Sequence, residues 1–323
     1  MTAMMDTVYF VVQQMWFFSI PLLIVALGGM FSERSGVVNI ALEGIMVVGA
    51  FCSIFFINRM QDVMSGQLLL ILAILVAAGS GMLYSLLHAY AAVNLRSDQT
   101  IGGTALNMIA PAFAIYMARM LQENGVQQVQ FNNTFRIEKV PVLGDIPVLG
   151  PLLFQNAYIT TYLGLAILLV SVIVLYRTRF GLRLRSCGEH PQAADSVGIS
   201  VYKMRYAGVM ISGMLAGLGG LVFVVPTSTN FNATVAGYGF LALAVLIFGQ
   251  WKPLRIFFAA LFFGLMKTIA SAYSGIPFLK DLSIRSDIYK MIPYIATLIV
   301  LAFTSKNSQA PRASGVPYDK GGR

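Results

Sequence analysis

The sequence predicts an all-α fold, a polytopic transmembrane helical bundle of about nine spans, with eight and ten as the bounds. Three observations predict it. The 323 residues are 57% hydrophobic and only 11% charged, whereas a soluble domain carries about 25% charged residues and so has polar material to cover a globule. Apolar runs of about 20 residues, the length that crosses a bilayer, recur along a chain whose mean hydropathy is +0.75. The net charge of +9 gathers mostly in the connections between those runs. That pattern encodes orientation in a membrane, and no basic patch interleaved with exposed aromatics marks a nucleic-acid surface.

The runs fall at 8–31, 37–57, 67–93, 101–120, 156–176, 204–226, 236–250, 253–275 and 287–304. The first follows "MTAMMDTVYF", which has neither a basic n-region nor a small-residue cleavage site, and reads as a retained span. The second grows out of "GGMFSERSGVVNIALEGIMVVGAF", where Glu33, Arg34, Asn39 and Glu43 crowd between apolar flanks. His88 on the third run has no second ligand at metal spacing and reads as a packing or polar-network residue. Asn107 on the fourth precedes the helix-kinking Pro111, and either lines a pathway or bonds across helices.

Residues 121–155 are rich in Asn, Gln, Pro and Gly, which is loop chemistry. A charged insert, 177–203, follows the fifth run. The sixth carries "SGMLAGLGGL", whose Gly213, Gly217 and Gly220 suit close helix packing through small residues. The seventh is preceded by the polar, Gly-rich "VVPTSTNFNATVAGYGF". Lys267 lies inside the eighth, where an ionisable group is costly and faces the bundle interior. It pairs with a carboxylate such as Glu43, meets substrate, or snorkels to the interface. Residues 305–323 form a basic tail outside the 1–304 transmembrane domain. Cys52 and Cys187 make no CxxC and no disulfide framework, and no metal site is expected.

Lys and Arg set the orientation. With nine spans, fourteen basic residues share one side, from Arg34, Arg96, the insert and its margins, Lys252, Arg255 and the tail. The other side has seven: Arg59, Arg119, Arg136, Lys139, Lys280, Arg285 and Lys290. The positive-inside rule makes the richer side cytoplasmic, so 121–155 and the N-terminus are extracytoplasmic. The two polar, interrupted segments near Asn39 and Tyr238 then run in opposite directions. Irregular backbone at membrane depth is tolerated where protein or a water-filled cavity satisfies it, so they are either an inverted repeat about a central pathway or ordinary interfacial loops. On the first reading Asn39, Glu43, Asn107, Asn230 and Tyr238 are the candidate pathway residues, with Asn39 and Glu43 on one helical face.

Within the insert, "GEHPQAADSVG" is punctuated as a short helix. Pro191 suits its first turn and Gly198 the left-handed position that ends it. About seven residues span about 10 Å and are not stable alone, so the helix is held against the spans or docked in a partner.

"RSCGEHPQAADSVGISV" resembles the cytoplasmic-loop signature of permease subunits of bacterial ABC importers in the ribose/branched-chain-amino-acid superfamily. "FSERSGVVNIALEGIMVVGAF" is similar to the N-terminal motif of its nucleoside and simple-sugar branch, and "GVPYDKGGR" to that branch's tail. Cys187 and His190 stand where Ala or Val, and Asn, are commoner in the wider superfamily. The resemblance implies a multi-pass subunit of the bacterial cytoplasmic (inner) membrane, without enzyme activity. Its implied partners are an ABC ATPase, a second permease subunit, paralogous or identical, and an extracytoplasmic binding protein or lipoprotein. It further implies that Gly188 through Gly198 form a coupling helix, with Gly188, Glu189, His190, Pro191, Ala193, Ala194, Asp195 and Gly198 at the ATPase contact, Ala193 and Ala194 allowing close approach. No G-x-x-x-x-G-K-[ST] occurs in the chain, so the expected cofactor is none here, ATP being used by the partner. Nucleosides are the expected substrates. A simple sugar such as ribose, or an autonomous ion-coupled carrier, is the alternative. An integral-membrane enzyme is disfavoured, because two scattered His and two scattered Cys supply no catalytic cluster.

Overall fold

The computed structural model describes residues 2–122, 125–132, 134–141, 143–147, 150–272, 286–304 and 309–320. Among them the chain forms α1 (Thr2–Arg34), α2 (Leu42–Met60), α3 (Gln67–Val93), α4 (Gln99–Leu121), α5 (Ile159–Arg177), α6 (Arg179–Glu189), α7 (Pro191–Ser196), α8 (Val201–Thr227), α9 (Tyr238–Phe248), α10 (Pro253–Ala272) and α11 (Ser286–Thr304). Seven of these, α1 to α5 with α8 and α10, are long and apolar enough to cross a membrane. The eleven residues of α9 reach only about 16 Å, half of a hydrocarbon core of about 30 Å. With α9 and α11 this is the polytopic helical bundle of about nine spans. Lys280 and Arg285 of the orientation argument, with Lys306 and Arg323, lie outside the described residues.

The centre is built from α1 and α8, which pack against each other while α3 and α2 close on α8. Leu22, Ile24, Val25, Ala26, Leu27 and Met30 of α1 are fully enclosed. Small residues let α8 come this close. A Cβ on Gly217 would land on the Ala77 carbonyl of α3, and one on Gly220 on the Met46 carbonyl of α2, as small-residue packing requires. The outer helices turn apolar side chains outward instead: Met108 and Tyr116 on α4, Leu169 and Ile173 on α5. Asp98 caps α4, its carboxylate accepting from the Thr100 and Ile101 backbone N–H groups, two of the four donors a helix start leaves open.

The 121–155 stretch is more ordered than its composition predicts. Two antiparallel ribbons form: β1 (Val129–Gln130) pairs β4 (Asn230–Phe231), and β2 (Ile137–Lys139) pairs β3 (Gln155–Ala157). The first ties this connection to the segment entering α9. Lys139 and Asp145 form an exposed ion pair beside the second.

Candidate functional site

The chain leaves α1 after Arg34 and does not become helical again until Leu42, five residues later than the apolar run at 37 predicts. Side chains from two other helices, α3 and α4, and from α1 itself occupy the backbone groups that a continuing helix would have paired. The Val38 N–H donates to Gln99 Oε1 at 2.7 Å, and His88 Nε2 lies 2.9 Å from the Val38 carbonyl. Asn107 bridges the restart, its Nδ2 donating to the Ile40 carbonyl at 2.8 Å and its Oδ1 accepting from Gly44 N–H at 2.7 Å. Ser32 Oγ donates to the Val37 carbonyl. This is irregular backbone satisfied by protein.

Asn39 sits within the break, fully buried, and donates through Nδ2 to Ser212 Oγ of α8 at 2.9 Å. It therefore does not share a helical face with Glu43, because the turn between them is not α-helical. The role of His88 as a polar-network residue and the interhelical bonds of Asn107 are both visible here. Gln99 is the third brace, and one signal for it was its place directly after a capping Asp.

Glu43 lies in the first turn of α2 and joins it to α9. Its Oε1 accepts the Gly237 N–H at 2.9 Å, and its Oε2 accepts the Gly239 N–H at 2.6 Å. The start of a helix carries partial positive charge, so one carboxylate serves two helix N-termini. Gly237 caps α9 with φ +77°, a conformation that glycine adopts without strain. A Cβ on Gly239 would strike the Glu43 backbone.

Tyr238, between those two glycines, is 1% exposed, and its ring lies 4.0 Å from the Phe223 ring of α8, centroid to centroid. Lys267 Nζ of α10 stands 5.7 Å from the Tyr238 centroid. Lys267 forms no ion pair among the described residues, and Glu43 is engaged with α9 instead. Beside them a cavity of about 300 Å³ is lined by Tyr238, Phe240, Leu241, Lys267, Pro293 and Thr297.

The structure thus brings Glu43 and Tyr238 together, with Asn39 and Asn107 bracing the break that precedes Glu43. Asn230 is elsewhere. It lies in the β1–β4 ribbon, at the rim of a polar hollow of about 660 Å³ shared with Asn58, Gln61 and Asn132.

A second constellation occupies the end of the bundle that carries α7. The expected coupling helix is split: Gly188 and Glu189 close α6, His190 leaves helical geometry with φ −142°, and Pro191 opens the six-residue α7. Gly198 ends the turn at φ +84°, as its position predicts. Gly188 packs on the end of α1, where a Cβ would meet the Arg34 carbonyl. Glu189 pairs with Arg34 at 3.5 Å, and Arg34 also donates to the Trp251 carbonyl at 3.0 Å. Trp251 in turn donates from its indole to Glu33 Oε2 at 2.6 Å. The adjacent Glu33 and Arg34 therefore both hold Trp251, and Arg34 holds Glu189 as well.

Within α7, Pro191 and Ala194 point inward, while Gln192, Ala193 and Ser196, with Val197 just beyond the helix, are exposed. Ala194 is 3% exposed and clusters with Cys187, Val201 and Tyr318. The small side chain there serves contact within the chain, and of the alanine pair only Ala193 faces outward. Burial pushes the Cys187 thiol up from its usual range. Tyr318 is pushed up to about 12, by burial first and then by its hydrogen bond to Asp195 and the charge of that carboxylate.

Tyr318 belongs to the tail, for which composition alone predicts only a basic appendage. Residues 309–320 instead cross this end as a strap. The Ala313 N–H donates to the Gly188 carbonyl at 2.8 Å, and the Gly315 N–H to the Gly36 carbonyl at 3.3 Å. Arg96, between α3 and α4, holds Asp319 through two bonds of 2.8 and 2.9 Å, which keeps the Arg96 guanidinium above its usual range. Arg205, at the margin of the charged insert, is in α8 and 1% exposed, with its guanidinium 5.9 Å from the Tyr318 ring centroid. The signal for the strap was its lone Tyr next to an acid in a basic stretch.

Comparison with known proteins places these features. Residues 11–301 match the model of a family described as "Branched-chain amino acid transport system / permease component". The chain is 45% identical to the guanosine ABC transporter permease protein NupQ of Bacillus subtilis, covering 95% of each chain. It is 43% identical to the nucleoside ABC transporter permease protein NupC of Lactococcus lactis, covering 98% of each. A second permease of that species, the nucleoside ABC transporter permease protein NupB, is 25% identical over 93% of this chain and 83% of its own length. No solved structure gives a significant match.

Proposed function

Because the chain belongs to the branched-chain amino acid transport system permease family, we propose that it is the membrane-spanning subunit of an ATP-driven importer of nucleosides. The observation that carries the substrate is the full-length identity of 45% and 43% to a guanosine and a nucleoside permease.

In this reading the protein is a subunit of the bacterial cytoplasmic membrane, with the α7 end inside. An extracytoplasmic binding protein or lipoprotein releases the nucleoside at the ribbon end, near Asn230 and its polar hollow. The nucleoside then passes the junction where α2 and α9 start, with Glu43 and Tyr238 at its wall and Asn39 and Asn107 holding the break in register. A separate ATPase hydrolyses ATP and docks on the exposed face of α7, where Ala193 admits close approach. Pro191 and Gly198 fix the ends of that docking turn, Glu189 and Gly188 anchor it to α1, and His190 is the joint between α6 and α7. Asp195 and Ala194 secure it to the strap. The second permease subunit is a paralogue, in keeping with the two nucleoside permeases matched in Lactococcus lactis. The chain is a transport subunit and performs no chemistry of its own.

Uptake of radiolabelled nucleosides and ribose, in cells with and without the gene, tests this. Deletion is expected to abolish a nucleoside uptake that the intact gene restores, and to leave ribose uptake unchanged. Loss of ribose uptake alone would replace the substrate.

A further inference from the structure

We propose that the cavity between α9, α10 and α11 recognises the nucleobase in transit, and that Lys267 there selects 6-oxopurine nucleosides over 6-aminopurine nucleosides. The inference rests on the nucleoside reading above. The cavity holds about 300 Å³, at the lower end of the range of small-molecule sites, about 300–1,000 Å³. Phe240, Leu241 and Pro293 make most of its wall apolar, and its polar side chains are the Lys267 ammonium and the Tyr238 and Thr297 hydroxyls.

Lys267 presents three N–H donors and no acceptor. Its position 5.7 Å from the Tyr238 ring centroid gives the ammonium a cation–π contact that holds it at the cavity. The buried Tyr238 hydroxyl has no hydrogen-bond partner among the described residues. The Thr297 hydroxyl is already engaged, donating to the Pro293 carbonyl at 2.7 Å. Among the described residues the cavity lining holds no carboxylate, and an intramembrane cation without one is costly. A neutral, planar, acceptor-rich ligand relieves that cost.

Purine nucleosides differ at the edge such a cation would meet. A 6-oxopurine offers two adjacent acceptors there, O6 and N7, whereas a 6-aminopurine offers N7 beside an amino donor. Turning that donor toward an ammonium leaves both unpaired. Aromatic walls accept the face of any base, so the discrimination falls on Lys267.

The test uses the whole transporter in cells lacking other nucleoside uptake. Initial rates are taken at saturating external nucleoside, so that the affinity of the binding protein drops out. In the wild type, the maximal rate for inosine is expected to exceed that for adenosine on the order of ten-fold. 7-Deazainosine, which lacks the N7 acceptor, should be slowed several-fold relative to inosine. Lys267→Met should erase both differences, mainly by losing inosine rate, and Lys267→Arg should keep them.

Equal wild-type rates for inosine and adenosine overturn the inference, as does 7-deazainosine moving as fast as inosine, and neither result depends on a variant that folds. A Lys267→Met protein that transports with the wild-type ratio also overturns it. Absence of any nucleoside uptake instead removes the functional reading on which it stands.

Discussion

Glu43 shows how much one side chain can hold. It accepts the N–H groups of Gly237 and Gly239, and no other element among the described residues is tied to the start of α9 by a carboxylate. A hydrogen bond to a charged group contributes about 1.5–3 kcal/mol, and an orphaned buried donor costs a similar amount. Glu43→Ala is expected to lower the melting temperature of the purified transporter and to cut uptake more than ten-fold. Glu43→Gln, which keeps one acceptor, should fall between. Uptake and thermal unfolding of both variants check this, and wild-type behaviour of Glu43→Ala would remove the junction from transport. The sequence made Glu43 conspicuous because a carboxylate between apolar flanks demands a partner. It could not name the partner, since two backbone N–H groups 194 and 196 residues away leave no mark in composition.

Elements were legible where hydrophobicity is continuous and less so where polar side chains replace backbone pairing. The long spans follow from their apolar runs within a few residues. The start of α2 did not, because Gln99, His88 and Asn107 draw the backbone of 38–44 into bonds that no local pattern encodes. Helix punctuation at Pro191 and Gly198 was readable, since both act through their own backbone geometry. Which alanine faces out was not, because six residues are too few to define a stripe and the Tyr318 that buries Ala194 is 124 positions later. The two alanines are therefore expected to separate. Ala193→Arg should leave the permease folded and in the membrane while its ATPase no longer copurifies. Ala194→Arg should destabilise the permease itself, as overpacking a closed contact costs about 1–3 kcal/mol or more. Copurification and thermal unfolding, measured on both, distinguish the faces; identical behaviour would show that α7 has no outward docking side.

At the scale of the whole molecule, the two ends of the bundle have different characters. One bears the ribbons and the polar hollow, the other α6, α7 and the strap. The charge count predicts which faces the cytoplasm. A cysteine at the exposed Asn132 should react with an impermeant thiol reagent outside intact cells, while one at Ser196 should react only after the membrane is opened. Native Cys187, 0% exposed, should stay unreacted in both conditions while the fold is intact. Labelling of Ser196→Cys from outside would invert the orientation. The strap carries a further consequence, one of timing. Tyr318 closes the cluster of Cys187, Ala194 and Val201, and Ala313 reaches Gly188, yet both are made after every span in the sequence. During synthesis the inward face of α7 stays uncovered until the last helix has left the ribosome. A motor that docks on the outward face needs α7 seated on that cover, and would thus assemble only on permeases whose insertion is complete.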